Sequence, residues 1–289
     1  MPKDLVARAA RLVCVGFSGT EVSSELRELV RLGVRSVILF ARNVREPEQV
    51  LSLTQEIKAL TTEPIAVAVD QEGGPVRRLR AGFTDVPAMR CVGAANDPLL
   101  AERTGMLLGR ELRAVGIDWN FAPVLDVDTN PANPVIGVRA FDRSPARVAE
   151  LGVALARGLG LAGVAACAKH FPGHGDTEQD SHLALPRLTH SLDRLLGVEL
   201  VPFQAAVRAA IPSVMSAHVL FSALDPNYPA TLSPLVLKGL LRERLGYTGL
   251  VVSDDLEMNA IVEHYGIETA IFRGLLAGVD CFLVCHTPE

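Results

Sequence analysis

Cysteine is scarce in this sequence: five residues in 289, at positions 14, 91, 167, 281 and 285. The number is odd and no two stand in a CxxC pair, which argues against a disulfide framework. Cys14, Cys167, Cys281 and Cys285 lie in apolar runs and read as small buried hydrophobes in a reducing compartment. Basic charge is not in excess. Lys and Arg number 28 against 33 Asp and Glu, a net charge of −5. A nucleic-acid partner would need a basic face, so none is expected, and no block of like charge is long enough to form an interaction tail. No apolar run reaches the ~18 residues of a membrane span. The N-terminus "MPKDLVARAARLVCVGFSG" has no apolar core of signal-peptide length, so a cytoplasmic location and no membrane partner are expected. Neither a linker nor a shift in composition marks a boundary, and residues 1–289 are read as one domain.

What is present is a rhythm. Short runs rich in Val, Ile, Leu and Ala recur near 11–17, 35–41, 64–70, 116–123, 163–170, 212–218, 249–255 and 278–285. Near-continuous apolar runs suit parallel strands buried on both faces. Seven helical patterns lie between them. "GTEVSSELRELVRLG" offers Thr20 as a cap and Gly33 as a stop; "DPLLAERTGMLLGRELRAVG" opens on Asp97-Pro98 and ends at Gly116. Pro202 is expected to kink or begin the helix in "LLGVELVPFQAAVRAA". Eight strands alternating with seven helices predict an α/β fold, a (β/α)8 TIM-type barrel. The sequence stops just after the eighth run, so the final outer helix is expected to be absent from it. An open doubly wound sheet would carry a glycine-rich phosphate fingerprint after its first strand, and "GFSGTE" is a weak echo of one.

Such a barrel places chemistry at the C-terminal ends of its strands, and the strong polar groups fall there. Asp70 ends the third run, Asp126 and Asp128 follow the fourth, Lys169 and His170 end the fifth, His218 the sixth, and Asp254 and Asp255 the seventh. Each has a plain alternative: Asp70, Asp254 or Asp255 as a cap, Asp126 and Asp128 as turn formers. Trp119, the single tryptophan, reads as barrel filling, and Met215 and Met258 as packing.

The densest chemistry is in "KHFPGHGDTEQDSHLALP", residues 169–186. So polar a loop is expected at a surface or cleft. His170, His174, Asp180 and His182 could ligate a metal, but Pro172, Gly173 and Gly175 deny the helix on which His-x3-His shares a face. No metal site is expected. In an extended stretch Asp180 and His182 would lie on one side, where the carboxylate would fix the imidazole tautomer and raise its pKa. A strand-end carboxylate at Asp254 plus an acid/base on a loop is the equipment of glycoside cleavage. Asp70 can accept from sugar hydroxyls; Arg78, Arg139, Lys169 and His170 can donate. Of the adjacent Arg77 and Arg78, one is expected to point inward.

With "ILFARN" at 38–43, "VDQEGG" at 69–74, "FAPVLDVDTNPANPVIGVRAF" at 121–141 and "SDDLEM" at 253–258, this ordered set resembles glycoside hydrolase family 3, in its β-N-acetylglucosaminidase branch. The resemblance covers nearly the whole chain. It implies Asp254 as a nucleophile forming a glycosyl-enzyme, His182 as acid/base, and Asp180 as the partner of His182. It implies Asp70, Arg78, Arg139, Lys169 and His170 as the sugar subsite. It implies no metal and no cofactor, and a small-molecule amino-sugar or muropeptide substrate. The reaction implied is release of N-acetylglucosamine, with retention, from a 1,6-anhydro-N-acetylmuramic acid unit with or without its peptide. A monomer is expected, and closure of the histidine loop over the sugar. Pro75 departs from the family pattern, and Asp255 beside Asp254 leaves the nucleophile to the family register. A phosphorylase of the same family and a silent sugar-binding barrel are the alternatives, with a metal-dependent hydrolase behind them.

Overall fold

The computed structural model describes residues 3–181 and 183–286. The eight apolar runs form eight parallel strands: β1 Val13–Val15, β2 Ser36–Leu39, β3 Ala66–Val69, β4 Trp119–Asn120, β5 Ala165–Phe171, β6 Ser213–Ser216, β7 Leu250–Asp255 and β8 Cys281–Val284. Each pairs with its neighbours in sequence, and β1 closes on β8 with Cys14 opposite Leu283. The fold is the TIM-type barrel that the alternation predicts.

Burial explains why the runs lack a polar face. One set of strand residues points into the barrel: Cys14, Ile38, Ala68, Trp119, Cys167, Met215, Val252 and Cys281 pack together there. The alternate set, including Val15, Val37, Val67, Ala166, Val214, Val251 and Phe282, packs outward against the helices. Both faces are dry, so both must be apolar. Four of the five cysteines, Cys14, Cys167, Cys281 and Cys285, therefore belong to the barrel interior, and burial pushes the thiols of Cys167 and Cys281 up to about 12. Cys91 is exposed, and the described cysteines are all free. Trp119 fills the interior as expected, donating from Nε1 to Ser213 Oγ at 2.8 Å.

The helices follow the sequence patterns with local differences. Helix Ser24–Leu32 is capped by Ser23, whose Oγ accepts from the Leu26 amide at 3.2 Å; Thr20 lies too far upstream to serve. Pro98–Ala114 starts on the Asp97 cap, and Pro145–Leu161 follows Ser144, whose side chain makes no cap bond. The run holding Pro202 divides at Val198, so Leu192–Gly197 and Leu200–Arg208 are separate and the proline sits in the first turn of the second. Leu235–Arg244 is wound in wide π turns. The last pattern divides into Asn259–Val262 and Ile267–Ala277. Among the described residues two α-helices lie outside the seven patterns, Lys3–Ala10 and Met89–Ala95. No helix among the described residues is long and apolar enough to cross a membrane.

Candidate active site

The C-terminal ends of the strands surround a cavity of about 500 Å³. Ile38, Phe121, Met215 and Leu283 floor it with apolar surface from the barrel interior, and Met258 joins the wall. The two methionines thus pack and also face the cavity.

Along one wall runs a ladder of alternating charge. Asp70, just past β3, accepts from Lys169 Nζ at 2.7 Å and faces Arg78 Nη2 at 3.5 Å. The same ammonium lies 2.7 Å from Glu72. Glu72 in turn takes a bidentate pair from Arg139 at 2.9 and 2.8 Å. Glu72 is only 2% exposed. Burial alone would raise its carboxyl; Arg139 and Lys169 override that and hold it far below the usual carboxylate range. Burial likewise disfavours the charged Lys169, and Asp70 and Glu72 reverse the effect and raise it. The turn bearing Glu72 is fixed by amide side chains. Asn120 on β4 exchanges two 2.9 Å bonds with the Gln71 backbone, and the Gln71 side chain spans the Arg78 amide and the Leu79 carbonyl. Arg78 points inward and stacks 5.4 Å from the Phe40 ring, while Arg77 turns away to Asp85. One inward arginine is what the adjacent pair predicts.

A second network surrounds Asp126, which is fully buried. One oxygen meets His170 Nδ1 at 2.7 Å; the other accepts the amides of His174 at 2.6 Å and His170 at 3.3 Å. Burial would raise this carboxyl, but His170 and His174 hold it below its ordinary value. An ionised Asp126 accepts from Nδ1–H, which leaves His170 Nε2 as the ring atom open to a ligand. His174 bridges Thr177 Oγ1 at 2.8 Å and Ser181 Oγ at 2.9 Å. Burial lowers its pKa to about 4, so the ring is neutral.

The end of β7 carries two unlike acids. Burial would raise Asp254, but His170 and His218 hold it below its ordinary value; its carboxylate, partly open to the cavity, accepts the Asp255 amide at 2.9 Å. Asp255 goes the other way, pushed up to about 7 by burial and the charges of Asp254 and Glu257. His218, fully buried, donates from Nε2 to the Asp255 carbonyl at 2.9 Å and so fixes the strand tip.

Asp70, Arg78, Arg139, Lys169, His170 and Asp254, six residues singled out from the sequence, thus line one cavity. His182 lies outside the described residues. Asp180 does not stand in an extended stretch: its carbonyl accepts from the amides of Leu183 at 2.9 Å and Ala184 at 3.0 Å, so the chain turns here. The histidine loop lies at a cleft, one of the two placements expected for it, with Lys169, His170, His174 and Ser181 lining the cavity, yet parts of it are buried. His174 and Thr177 are buried with their polar groups satisfied. Gly175 lies so close to Val127 that a Cβ would overlap that carbonyl. The local bonding replaces the water that a polar loop ordinarily needs. His174, weighed as a metal ligand, bonds hydroxyls instead, and among the described residues no group of three or more His, Cys, Asp or Glu side chains is placed to hold a metal ion. Asp126, weighed as a turn former, is a hydrogen-bond hub. Glu72 was missed, although it stands two residues from Asp70, a spacing that places both on one side of an extended segment.

Residues 5–289 match the glycosyl hydrolase family 3 N terminal domain. The chain belongs to glycosyl hydrolase family 3. Its enzyme class, glycoside hydrolase, is the one that the motifs imply. A protein named beta-hexosaminidase from Thiobacillus denitrificans is 44% identical over 279 residues, 94% of this chain and 77% of that protein. Among solved structures, a family 3 β-N-acetylglucosaminidase from Paenibacillus sp. superposes with a TM-score of 0.97 at 47% identity, covering 98% of this chain. This chain spans 55% of the length of that protein. NagZ from Neisseria gonorrhoeae, in complex with N-trifluoroacetyl-D-glucosamine, superposes with a TM-score of 0.86 at 41% identity, covering 95% of this chain and 81% of that one.

Proposed function

We propose that this family 3 barrel is a retaining exo-β-N-acetylglucosaminidase that acts in the cytoplasm on peptidoglycan-derived fragments. It would release N-acetylglucosamine from a 1,6-anhydro-N-acetylmuramic acid unit with or without its peptide. The observation that carries the reading is Asp254: a carboxylate held ionised at a strand end, facing a cavity walled by the Asp70–Lys169–Glu72–Arg139 ladder. The names of the relatives support the amino sugar, as does the N-trifluoroacetyl-D-glucosamine bound by the Neisseria protein.

In the first step an oxygen of Asp254 attacks the anomeric carbon and the bond to the leaving oxygen breaks. His182, paired with Asp180, gives its proton to that oxygen. In the second step His182 takes a proton from water, whose oxygen displaces Asp254, and configuration is retained overall. Asp70 accepts from sugar hydroxyls, and Arg78, Arg139, Lys169 and His170 donate to hydroxyls or the acetamido carbonyl. Asp254 is preferred to Asp255 because a nucleophile must be ionised, and Asp255 at about 7 is half protonated near neutrality. The lining cations Arg78, Arg139 and Lys169 each already face a carboxylate, which favours water over phosphate as acceptor.

The test is mass spectrometry after reaction with a slow fluorinated N-acetylglucosamine donor. The sugar is expected on the peptide carrying Asp254, at that residue. Labelling of Asp255, or rapid turnover with no covalent adduct, would overturn the assignment. Formation of a sugar 1-phosphate in phosphate buffer would move the reading to a phosphorylase.

A further inference from the structure

Ser181 precedes His182 in sequence, is 2% exposed and lines the cavity. It is gripped from two sides. Its Oγ lies 2.9 Å from His174 Nε2, and its carbonyl accepts from the Ala260 amide at 3.4 Å, in the segment that follows Asp254 on β7. His174 is itself fixed. Its amide donates to Asp126 at 2.6 Å, its Nδ1 meets Thr177 Oγ1 at 2.8 Å, and its carbonyl accepts from Asn133 Nδ2 at 2.8 Å. The other oxygen of Asp126 holds His170 Nδ1 at 2.7 Å. One continuous chain of hydrogen bonds therefore runs from the cavity-lining ring of His170, through Asp126 and His174, to Ser181.

We propose that the Ser181–His174 contact is the clasp that holds the proposed acid/base loop against the β7 side of the cavity, with Ser181 and His174 as positioning residues. The inference rests on the glycosidase reading above. A hydroxyl can donate to or accept from Nε2 and so serves either imidazole tautomer, whereas a methyl group serves neither. The half of the loop before Thr177 is anchored by buried bonds, so the clasp is what joins that anchored half to the turn beginning at Asp180. Closing it also ties the loop to the orientation of His170, so the sugar subsite and the loop share one network.

The test uses the full chain as Ser181→Ala and Ser181→Thr. Amide exchange read by mass spectrometry over residues 177–186 is expected to speed up roughly tenfold in S181A, the worth of one buried hydrogen bond, and to return toward the wild-type rate in S181T. In parallel, kcat/KM is measured on two N-acetyl-β-D-glucosaminides, one with an alkyl and one with a nitrophenolate leaving group. S181A is expected to lose on the order of tenfold to a hundredfold on the alkyl glycoside, since misplaced groups cost about that. Its loss on the nitrophenyl glycoside, which needs little protonation, is expected to be several-fold smaller. S181T recovers most of both. Unchanged exchange in S181A, or equal losses on the two glycosides, would overturn the clasp. If S181A does not fold, Ser181→Cys keeps the volume, weakens the bond and allows the same comparison. A wild-type chain that cleaves neither glycoside overturns the enzyme reading instead, and the exchange comparison still decides the clasp.

Discussion

At the scale of single residues, neighbouring acids are made unlike by their surroundings. Asp254 and Asp255 are adjacent in sequence, yet His170 and His218 hold the first ionised while burial protonates the second through mildly acidic pH. If Asp254 is the nucleophile proposed above, Asp254→Asn is expected to abolish turnover, a loss of at least about 10⁴ in kcat, with Tm measured in parallel to confirm folding. Asp255→Asn is expected to stabilise. Folding raises this carboxyl to about 7. Its contribution is therefore favourable only below the unfolded carboxylate pKa, and it is lost as pH rises through about 7. The gain of the Asn variant, read by thermal melts, should be small near pH 4, grow to about pH 7 and level off above, reaching a few kcal/mol at most. Glu72 has the opposite sign. Its depressed pKa adds stability above the unfolded value that is lost only as pH falls into strong acid. Glu72→Gln leaves Lys169 and Arg139 without their shared carboxylate, and removing one member of a buried ion cluster costs about 3–5 kcal/mol. Its effect in urea melts should be largest at neutral pH, and KM for the amino sugar should rise more than kcat falls.

At the scale of elements, the patterns of strands and helices were legible because they are set by local periodicity. Strand positions followed from apolar runs, and the Asp97 and Gly33 boundaries followed from cap chemistry. The misses have a common cause. Ser23 in place of Thr20, the break at Val198 and the π winding of Leu235–Arg244 depend on how the chain meets the barrel, which periodicity does not encode. Helices Pro98–Ala114 and Pro145–Leu161 touch backbone to backbone where Gly158 meets the Glu102 carbonyl. Gly158→Ala has to push these helices apart and is expected to cost about 1–3 kcal/mol, measured by urea denaturation, with kcat little changed because the contact is remote from the cavity.

At the scale of the whole molecule, closure of β8 on β1 brings residues from positions 38 to 286 around one cavity. A ligand that bridges those strands stabilises the folded state by mass action. N-acetylglucosamine at a hundred times its Kd should raise Tm by about 5 °C, from about 2.7 kcal/mol of linkage. Glucose at the same concentration should give a smaller shift, because it offers no acetamido group to the donors of the wall. Equal shifts would argue against an amino-sugar subsite. The barrel and part of the polar wall could be read in advance: a strand-end position fixes which mouth a side chain reaches, and Asp70, Lys169, His170 and Asp254 all line the cavity there.

The sequence by itself determined the barrel, the mouth at which its strong polar groups gather and the family, because alternating buried strands and helices leave a periodic trace and the strand-end motifs keep their order. Only the tertiary structure decided how those groups are paired. Glu72 became the centre of the charge ladder and Asp126 the hub of the histidines because partners distant along the chain meet them in a dry environment. There a carboxylate's pKa follows from its neighbours rather than from its own chemistry.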